Sequence, residues 1–154
     1  MKDVFGDDQK RIDHALAVLS FAEKIHQAEG GDESVITAAA ILHDIGIHQA
    51  EQKYGSTAGK FQEIEGPPVA GPILKDSGCP ADKIEHVCKI IANHHTARNI
   101  DTLEFRVLWD ADWLVNVPDE CGKMSKDKLK IFIEKVFKTS KGMQLAKEIY
   151  LSGD

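Results

Sequence analysis

Apolar residues recur along the first thirty positions with the spacing of an α-helix, a period of about 3.6 residues. They are Ile12, Ala15, Leu16, Leu19, Ala22 and Ile25. Either Asp7 or Asp8 can cap the start of this helix, and Gly30-Gly31 can end it. The pattern predicts a helix with one buried face.

The next stretch mixes a clear helix with less regular segments. A second helix is predicted from near Ser34 through Leu42, with Gly46 as its stop because glycine enters the left-handed conformation at little cost. Residues 48–60 lack periodicity and are expected to form a loop, whereas residues 61–77 are expected to be helical in part. Three prolines should break or kink that part: Pro67, Pro68 and Pro72.

The second half of the chain is also helical in pattern. Pro80 opens a helix that runs into His94-His95, and Asp101-x-x-Glu104 resembles a capping box for the next helix. Two further apolar faces follow, one with Leu129, Phe132, Ile133 and Val136, the other with Leu145, Ala146 and Ile149. Since no strand-like alternation appears, we expect an all-α protein: residues 1–154 as one irregular bundle of about six or seven helices.

Composition and charge restrict the classes of partner and the cellular location that we expect for this chain. A chain of 154 residues with a net charge of -6 repels nucleic-acid backbone and anionic membrane over most of its surface, so extended nucleic-acid binding is not expected. Its three cysteines have no metal-site spacing, which favours reduced thiols in the cytoplasm. The N-terminal residues have no apolar run typical of a signal peptide, and no apolar run approaches the ~20 residues that cross a bilayer.

Histidines and aspartates on apolar helix faces are the candidate chemistry. His43-Asp44 ends an alanine-rich helix, His14 lies on the apolar face of the first helix, and Asp112 shares a face with Phe105 and Leu108. A carboxylate on a buried face needs a cation, a metal or strong donors. The alternatives are a buried His-Asp hydrogen-bonded pair and an ordinary core histidine, but three inward-facing groups from separate helices favour a metal site.

Asp110 has a different interpretation, because it points about 200° away from Asp112 on the same helix. It follows Arg106 by four residues, the spacing of a surface ion pair. We therefore expect Asp112, and not Asp110, to bind the metal.

The ordered set His14, His43-Asp44 and Asp112 resembles the H…HD…D motif of the HD-domain superfamily of metal-dependent phosphohydrolases. The string His43-Asp44-Ile45-Gly46 is similar to the HDIG form of that motif, and Trp109-Asp110-Ala111-Asp112-Trp113-Leu114 resembles a segment of its bacterial hydrolases. The resemblance covers roughly residues 11–116. It implies an all-helical fold, a divalent metal ion (Mn, Fe, Co, Ni or Mg) and hydrolysis of a phosphate ester.

Some members of that superfamily hold two metals with the help of additional histidines. His94-His95 matches the place of such histidines, but Gln62 stands where a histidine often precedes the glutamate that is here Glu63. Glutamine is a neutral, weaker ligand, so one tightly bound metal is expected. In a hydrolase, Asp44 would orient a water molecule, His94 or His95 would protonate the leaving oxygen, and Glu63 is a candidate proton carrier.

Four cationic residues are candidates for binding the phosphate of a small substrate, with nucleotides as the expected class. They are Arg11, Lys53, Lys60 and Arg98. The rival hypotheses are a non-catalytic metal- or nucleotide-binding regulatory module and a purely structural bundle. The carboxylate-rich ligand set favours the enzyme, because a scaffold has no need of an open metal site.

Overall fold

The computed structural model describes residues 5–153, which form eight α-helices and no strand. Their bounds are α1 Gln9–Glu29, α2 Glu33–Leu42, α3 Ile47–Tyr54, α4 Gly59–Asp76, α5 Ala81–Ile91, α6 Leu103–Cys121, α7 Lys126–Val136 and α8 Ser140–Tyr150. The all-α prediction is confirmed. The absence of a signal peptide was inferred from Met1–Lys10, and residues 1–4 of that segment lie outside the described residues.

Helices α1, α2 and α6 pack on one another and form the centre of the molecule. Helix α5 lies against α2 and α4, α3 lies against α4, and α8 packs on α6, α1 and α7. The buried side chains at the centre are large and apolar, among them Ile25, Ile36, Ile90, Phe105 and Leu108. One continuous core thus joins the helices, and the ends of α2 and α5 meet α1 and α6 at one side of it.

Helix caps differ in detail from those expected. Asp8 accepts from Arg11 N and caps α1, in line with one of the two predicted alternatives. Helix α6 is capped by Thr102 rather than by the predicted Asp101 capping box, because Asp101 instead pairs with Arg106.

Residues 48–60 are only partly a loop, because Ile47–Tyr54 forms the short helix α3. Gly46 does not end α2 in the left-handed region but precedes α3 with φ -81°. A Cβ at Gly46 would collide with the backbone of Glu65 and Gly66, so glycine here permits α3 and α4 to approach closely.

The three prolines do not divide α4, which is continuous from Gly59 to Asp76. Pro68 and Pro72 lie on the exposed side of this helix, as does Ile64. Three carbonyl groups lose their helical partners, those of Glu63, Ile64 and Pro68, and these residues are exposed or partly exposed, so water can reach them. The expectation of a segment that is helical only in part, with a break or a kink at the prolines, was therefore wrong about the partial helix and the break.

Candidate metal centre

Four side chains from three parts of the fold converge at the end of the α1–α2–α6 packing. His14 is on α1, His43 and Asp44 are in the turn between α2 and α3, and Asp112 is on α6. His14 Nε2 lies 3.0 Å from Asp112 Oδ1, 3.2 Å from His43 Nε2 and 3.5 Å from Asp44 Oδ2. His43 Nε2 lies 3.4 Å from Asp112 Oδ1 and 3.5 Å from Asp44 Oδ2. The predicted ligand set is thus brought together in one cluster.

A second group adjoins the first and shares its aspartate. The turn after α5 carries His94 and His95, and His94 Nε2 lies 3.4 Å from Asp44 Oδ1. Asp44, His94 and His95 are close enough to hold an ion between them, as are His14, His43 and Asp112. Asp44 therefore stands between two neighbouring groups of donor atoms.

The tautomers of the two buried histidines follow from their hydrogen bonds. His43 Nδ1 is 2.9 Å from Ala40 O, and His94 Nδ1 is 2.6 Å from Ile91 O. A carbonyl can only accept, so each Nδ1 carries a proton and each Nε2 is the ring nitrogen that faces the cluster. His94 Nε2 is buried with no hydrogen-bond partner among the described residues. An unpartnered buried lone pair beside two carboxylates fits a bound cation.

The electrostatics of the cluster also favour positive charge. Burial lowers the pKa of His43, but the carboxylates of Asp44 and Asp112 outweigh it and raise that pKa to about 9. Burial raises the pKa of each carboxylate, but the neighbouring histidines outweigh it and hold both values well below the ordinary range. The cluster attracts either a proton or a metal cation, and a mixed nitrogen and oxygen donor set suits a first-row divalent ion.

The cluster opens into a cleft of about 410 Å³. Its lining comprises Lys10, Arg11, His14, Asp44, Gln62, His94, His95, Asp112, Trp113, Asn116, Asp119 and Glu120. Among the cationic residues expected at the site, Arg11 lines this cleft and Lys53, Lys60 and Arg98 do not. Lys53 Nζ instead lies 2.8 Å from Glu65 Oε2, and Lys60 lies over the ring of Phe61.

Glu63 lies beside the site but does not line the cleft. Its Oε1 accepts hydrogen bonds of 3.0 Å from His95 N, Thr96 N and Thr96 Oγ1. Glu63 therefore holds the turn that carries the two histidines, a role different from the proton carrier expected from the sequence.

Gln62 also contacts this turn. Its Nε2 donates to Thr57 O at 2.6 Å, which orients the amide, and its Oε1 lies 3.3 Å from His95 Nε2. Oε1 can only accept, so His95 donates from Nε2 in this contact.

Asp110 is the clearest error of the sequence interpretation. It is fully buried, and its carboxylate accepts from Lys138 N, Thr139 N and Thr139 Oγ1 at 2.7–2.8 Å. Arg106 pairs with Asp101 instead. Asp110 thus joins α6 to the start of α8, and the partners that explain its burial lie 28 and 29 residues further along the chain.

Several residues that line the cleft were not predicted from the sequence, although their helical spacing from the predicted ligands could have indicated them. Asn116 follows Asp112 by one turn of α6, and its Nδ2 donates to Asp112 Oδ1 at 3.0 Å. Lys10 precedes His14 by one turn of α1. Each of these two residues lies four positions from a predicted metal ligand, which places it next to that ligand on the same face of the helix.

Comparisons with known proteins agree with this arrangement. The family model described as HD domain matches residues 11–117. A solved structure of a predicted HD superfamily hydrolase from an uncultured Thermotogales bacterium is 25% identical, with a TM-score of 0.71, and the match covers 97% of this chain and 80% of that one. No curated protein sequence matches the chain. No helix within residues 5–153 combines the length and apolar character needed to cross a membrane.

Proposed function

The chain belongs to the HD-domain family, and from that membership we propose that it is a metal-dependent phosphohydrolase acting on a small phosphorylated metabolite, with nucleotides as the substrate class. The observation that carries the proposal is the convergence of His14, His43, Asp44 and Asp112, of which all but the buried His43 line an open cleft. Two nitrogen and two oxygen donors suffice for one ion that keeps positions open for water or substrate.

These four residues are the proposed metal ligands. A divalent ion held there supplies Lewis acidity toward a phosphoryl oxygen and acidifies water. Asn116 holds the Asp112 carboxylate from the adjacent turn of α6, and the carbonyl groups of Ala40 and Ile91 keep His43 and His94 in the tautomers that face the cluster. The chain thus orients its donors before any ion arrives.

Substrate binding and proton transfer fall to other residues of the cleft. We assign phosphate binding to Arg11 and Lys10, which line the wall next to His14. His94 has a lone pair at Nε2 and lies 3.4 Å from Asp44 Oδ1, so this pair can receive the proton released by water and pass it to the leaving oxygen. Glu63 is assigned a positioning role only.

One tightly bound ion is the proposed stoichiometry. A second ion would depend on Asp44, His94 and His95. The hydrogen bond from His95 Nε2 to Gln62 Oε1 engages one of the two ring nitrogens of His95, and glutamine adds no charge to the set. For partners, we propose a small anionic substrate and no extended nucleic acid, the latter supported by the net charge of -6. We also propose a cytoplasmic location, which is supported by three cysteines without metal-site spacing.

The proposal is tested by measuring phosphate release from nucleoside monophosphates, cyclic nucleotides and dinucleoside polyphosphates in the presence of Mn²⁺, Co²⁺, Ni²⁺, Mg²⁺ or Ca²⁺. We expect turnover of at least one class with Mn²⁺, Co²⁺ or Ni²⁺ above that with Ca²⁺, and none in an Asp44→Asn variant. Metal-dependent binding of nucleotides without any turnover would instead favour the non-catalytic regulatory module.

A further inference from the structure

The outer side of α4 is apolar over about three helical turns, although the exposed side of a surface helix is ordinarily polar. Its residues are exposed or partly exposed, and Ile64 at the centre is 57% exposed. We call this surface the α4 outer face: Phe61, Ile64, Pro67, Pro68, Gly71 and Pro72. A single exposed apolar side chain is common on protein surfaces, but a continuous row indicates contact with another molecule.

Charged side chains stand at the two ends of this face and not within it. Glu63 and Glu65 lie along its length but turn away, Glu63 to the turn after α5 and Glu65 to Lys53. Lys60 and Lys75 mark the ends, about 22 Å apart along the helix axis. Neither of these lysines forms an ion pair with a residue that the structure describes. A ligand that covers the face therefore meets apolar surface in the middle and a free ammonium group at each end.

The α4 outer face also offers backbone hydrogen-bond acceptors. Pro68 and Pro72 have no N–H group, so the carbonyl groups of Ile64 and Pro68 lack the donor that a helix supplies four residues later. These two carbonyl groups are one helical turn apart, about 6 Å along the axis. In an extended peptide the N–H groups on one side recur every second residue, at about 6.6 Å. An extended segment that lies along α4 can therefore donate to both carbonyl groups.

We propose that the α4 outer face binds a short extended peptide segment of a partner protein, with apolar side chains in the middle and carboxylates at both ends. About seven extended residues span the distance from Lys60 to Lys75. The segment donates its N–H groups to the carbonyl groups of Ile64 and Pro68, covers the apolar side chains, and pairs its carboxylates with the two lysines.

A second copy of this chain fits the face less well than such a segment. When two identical faces overlap along their full length, carbonyl acceptors meet carbonyl acceptors. Both the parallel and the antiparallel arrangement then place lysines of the two copies beside each other, where like charges repel. The partner that the face selects is therefore one that brings hydrogen-bond donors and negative charge.

This surface is separate from the candidate metal centre. Gln62 is the residue of α4 that lines the cleft, and it projects about 160° away from Ile64 around the helix. The binding proposal is therefore independent of the proposed phosphohydrolase activity, and its test needs neither a metal nor a substrate.

The test uses fluorescent nine-residue peptides in which leucine alternates with threonine at the five central positions. One peptide has two glutamates at each end, and the other has two lysines at each end. At low ionic strength we expect fluorescence anisotropy to give a dissociation constant on the order of 0.1 mM for the glutamate peptide and about tenfold weaker binding of the lysine peptide. Methylation of the central backbone N–H groups should weaken the glutamate peptide by about tenfold, because the donors are lost.

Two isoleucines provide matched variants for the apolar part of the face. Ile64→Glu should weaken binding of the glutamate peptide at least tenfold, because it places a carboxylate at the centre of the face. Ile131→Glu is the control, since Ile131 is 65% exposed on α7 and lies outside the face, and it should leave binding unchanged. Circular dichroism of both variants checks that they are folded, and an equal loss in the two would overturn the proposal.

Two pairs of lysines provide matched variants for the charged ends. Lys60→Ala/Lys75→Ala should abolish the preference for the glutamate peptide, whereas Lys128→Ala/Lys135→Ala, which changes two exposed lysines of α7, should retain it. Equal binding of the glutamate and lysine peptides by the wild type, or binding of neither, would overturn the proposal. Self-association of the wild type that Ile64→Glu abolishes would also overturn it and would identify a second copy as the occupant.

Discussion

His43 and His94 use the same local arrangement in two different turns. Each imidazole donates its Nδ1 proton to the carbonyl three residues earlier, Ala40 in one case and Ile91 in the other. The short range of this bond means that a histidine just after a helix end can fix its own tautomer with the last turn of that helix. Both Nε2 atoms then face the cluster without help from a distant residue.

Asp112 and Asp110 allow a matched comparison, because both are carboxylates on α6 that are largely shielded from solvent. We expect Asp112→Asn to lower metal affinity at least tenfold, since it removes a charge that faces two histidines, and Asp110→Asn to retain the metal. Metal content of the folded, purified variants is the measurement. Loss of metal from the Asp110 variant alone would reverse the assignment.

Gln62 provides the test of metal number. If its bond to His95 and its lack of charge weaken a second position, the wild type should keep close to one ion per chain after dialysis without chelator. Gln62→His should raise that value toward two, because it supplies a further imidazole next to His95. A wild-type value near two, or an unchanged value in the variant, would contradict the one-metal proposal.

Asp110 also predicts a pH dependence of stability. Burial raises its pKa to about 6, and the hydrogen bonds from Thr139 and Lys138 only partly oppose this shift. A folded-state pKa above the unfolded one stabilises the protein at low pH, and that contribution is lost as pH rises through 6. Between pH 5 and pH 7 the free energy of unfolding of the wild type should therefore fall by about 1 kcal/mol relative to Asp110→Asn. Urea unfolding at both pH values measures it, and a difference that grows with pH would show that the hydrogen bonds outweigh burial.

At the scale of the helices, α4 positions the turn that follows α5. Glu63 accepts from two backbone amides of that turn, and the position of Gly59 leaves room for the His95 ring, since a Cβ there would lie 2.6 Å from a ring carbon. These contacts come from the first five residues of α4, Gly59 to Glu63. The geometry of His94 and His95 thus depends on a helix that supplies no proposed metal ligand.

Glu63 can be tested as a positioning residue. Glu63→Ala should lower kcat by ten- to a hundredfold, because three donors lose their acceptor and the turn loosens, whereas Glu63→Gln should retain most activity since its amide oxygen still accepts. Hydrogen exchange of the His95 and Thr96 amides provides the structural measurement. A proton carrier would show the opposite pattern, with Glu63→Gln as inactive as Glu63→Ala and the amides equally protected.

At the scale of the whole molecule, the proposed ligands tie together segments that are far apart in sequence. His14 and Asp112 are separated by 98 residues, and the turn after α2 lies between them in the chain. An ion bound by all three segments stabilises only the folded state, because the unfolded chain does not present the same set.

Removal of the metal should therefore lower stability. At an ion concentration of a hundred times the dissociation constant, chelation should cost about 3 kcal/mol, seen as a lower Tm in thermal unfolding. The Asp112→Asn variant is the control, and its Tm should respond little to chelator. An equal response in the two proteins would mean that the ion acts elsewhere.

The sequence by itself determined the helical class and the candidate ligand set. Helical periodicity and end signals are local, so they can be detected without knowledge of the fold. The resemblance to the HD-domain family rests on the order and spacing of residue types along the chain, which the family model matches over residues 11–117. His14 and Asp112 were recognised because polar groups on apolar helix faces are costly without a partner.

Only the tertiary structure decided which groups these polar and charged side chains contact. Asp110 meets the backbone of residues 138 and 139, Lys53 turns to Glu65, and Glu63 holds the turn after α5. Each of these contacts joins residues that are twelve to thirty-three positions apart, where no periodic pattern reaches. The cleft and its charged lining likewise arise from the way α1 lies against α6. The position of one helix face relative to another is fixed by packing of the core, and the residue spacing within either helix does not determine it.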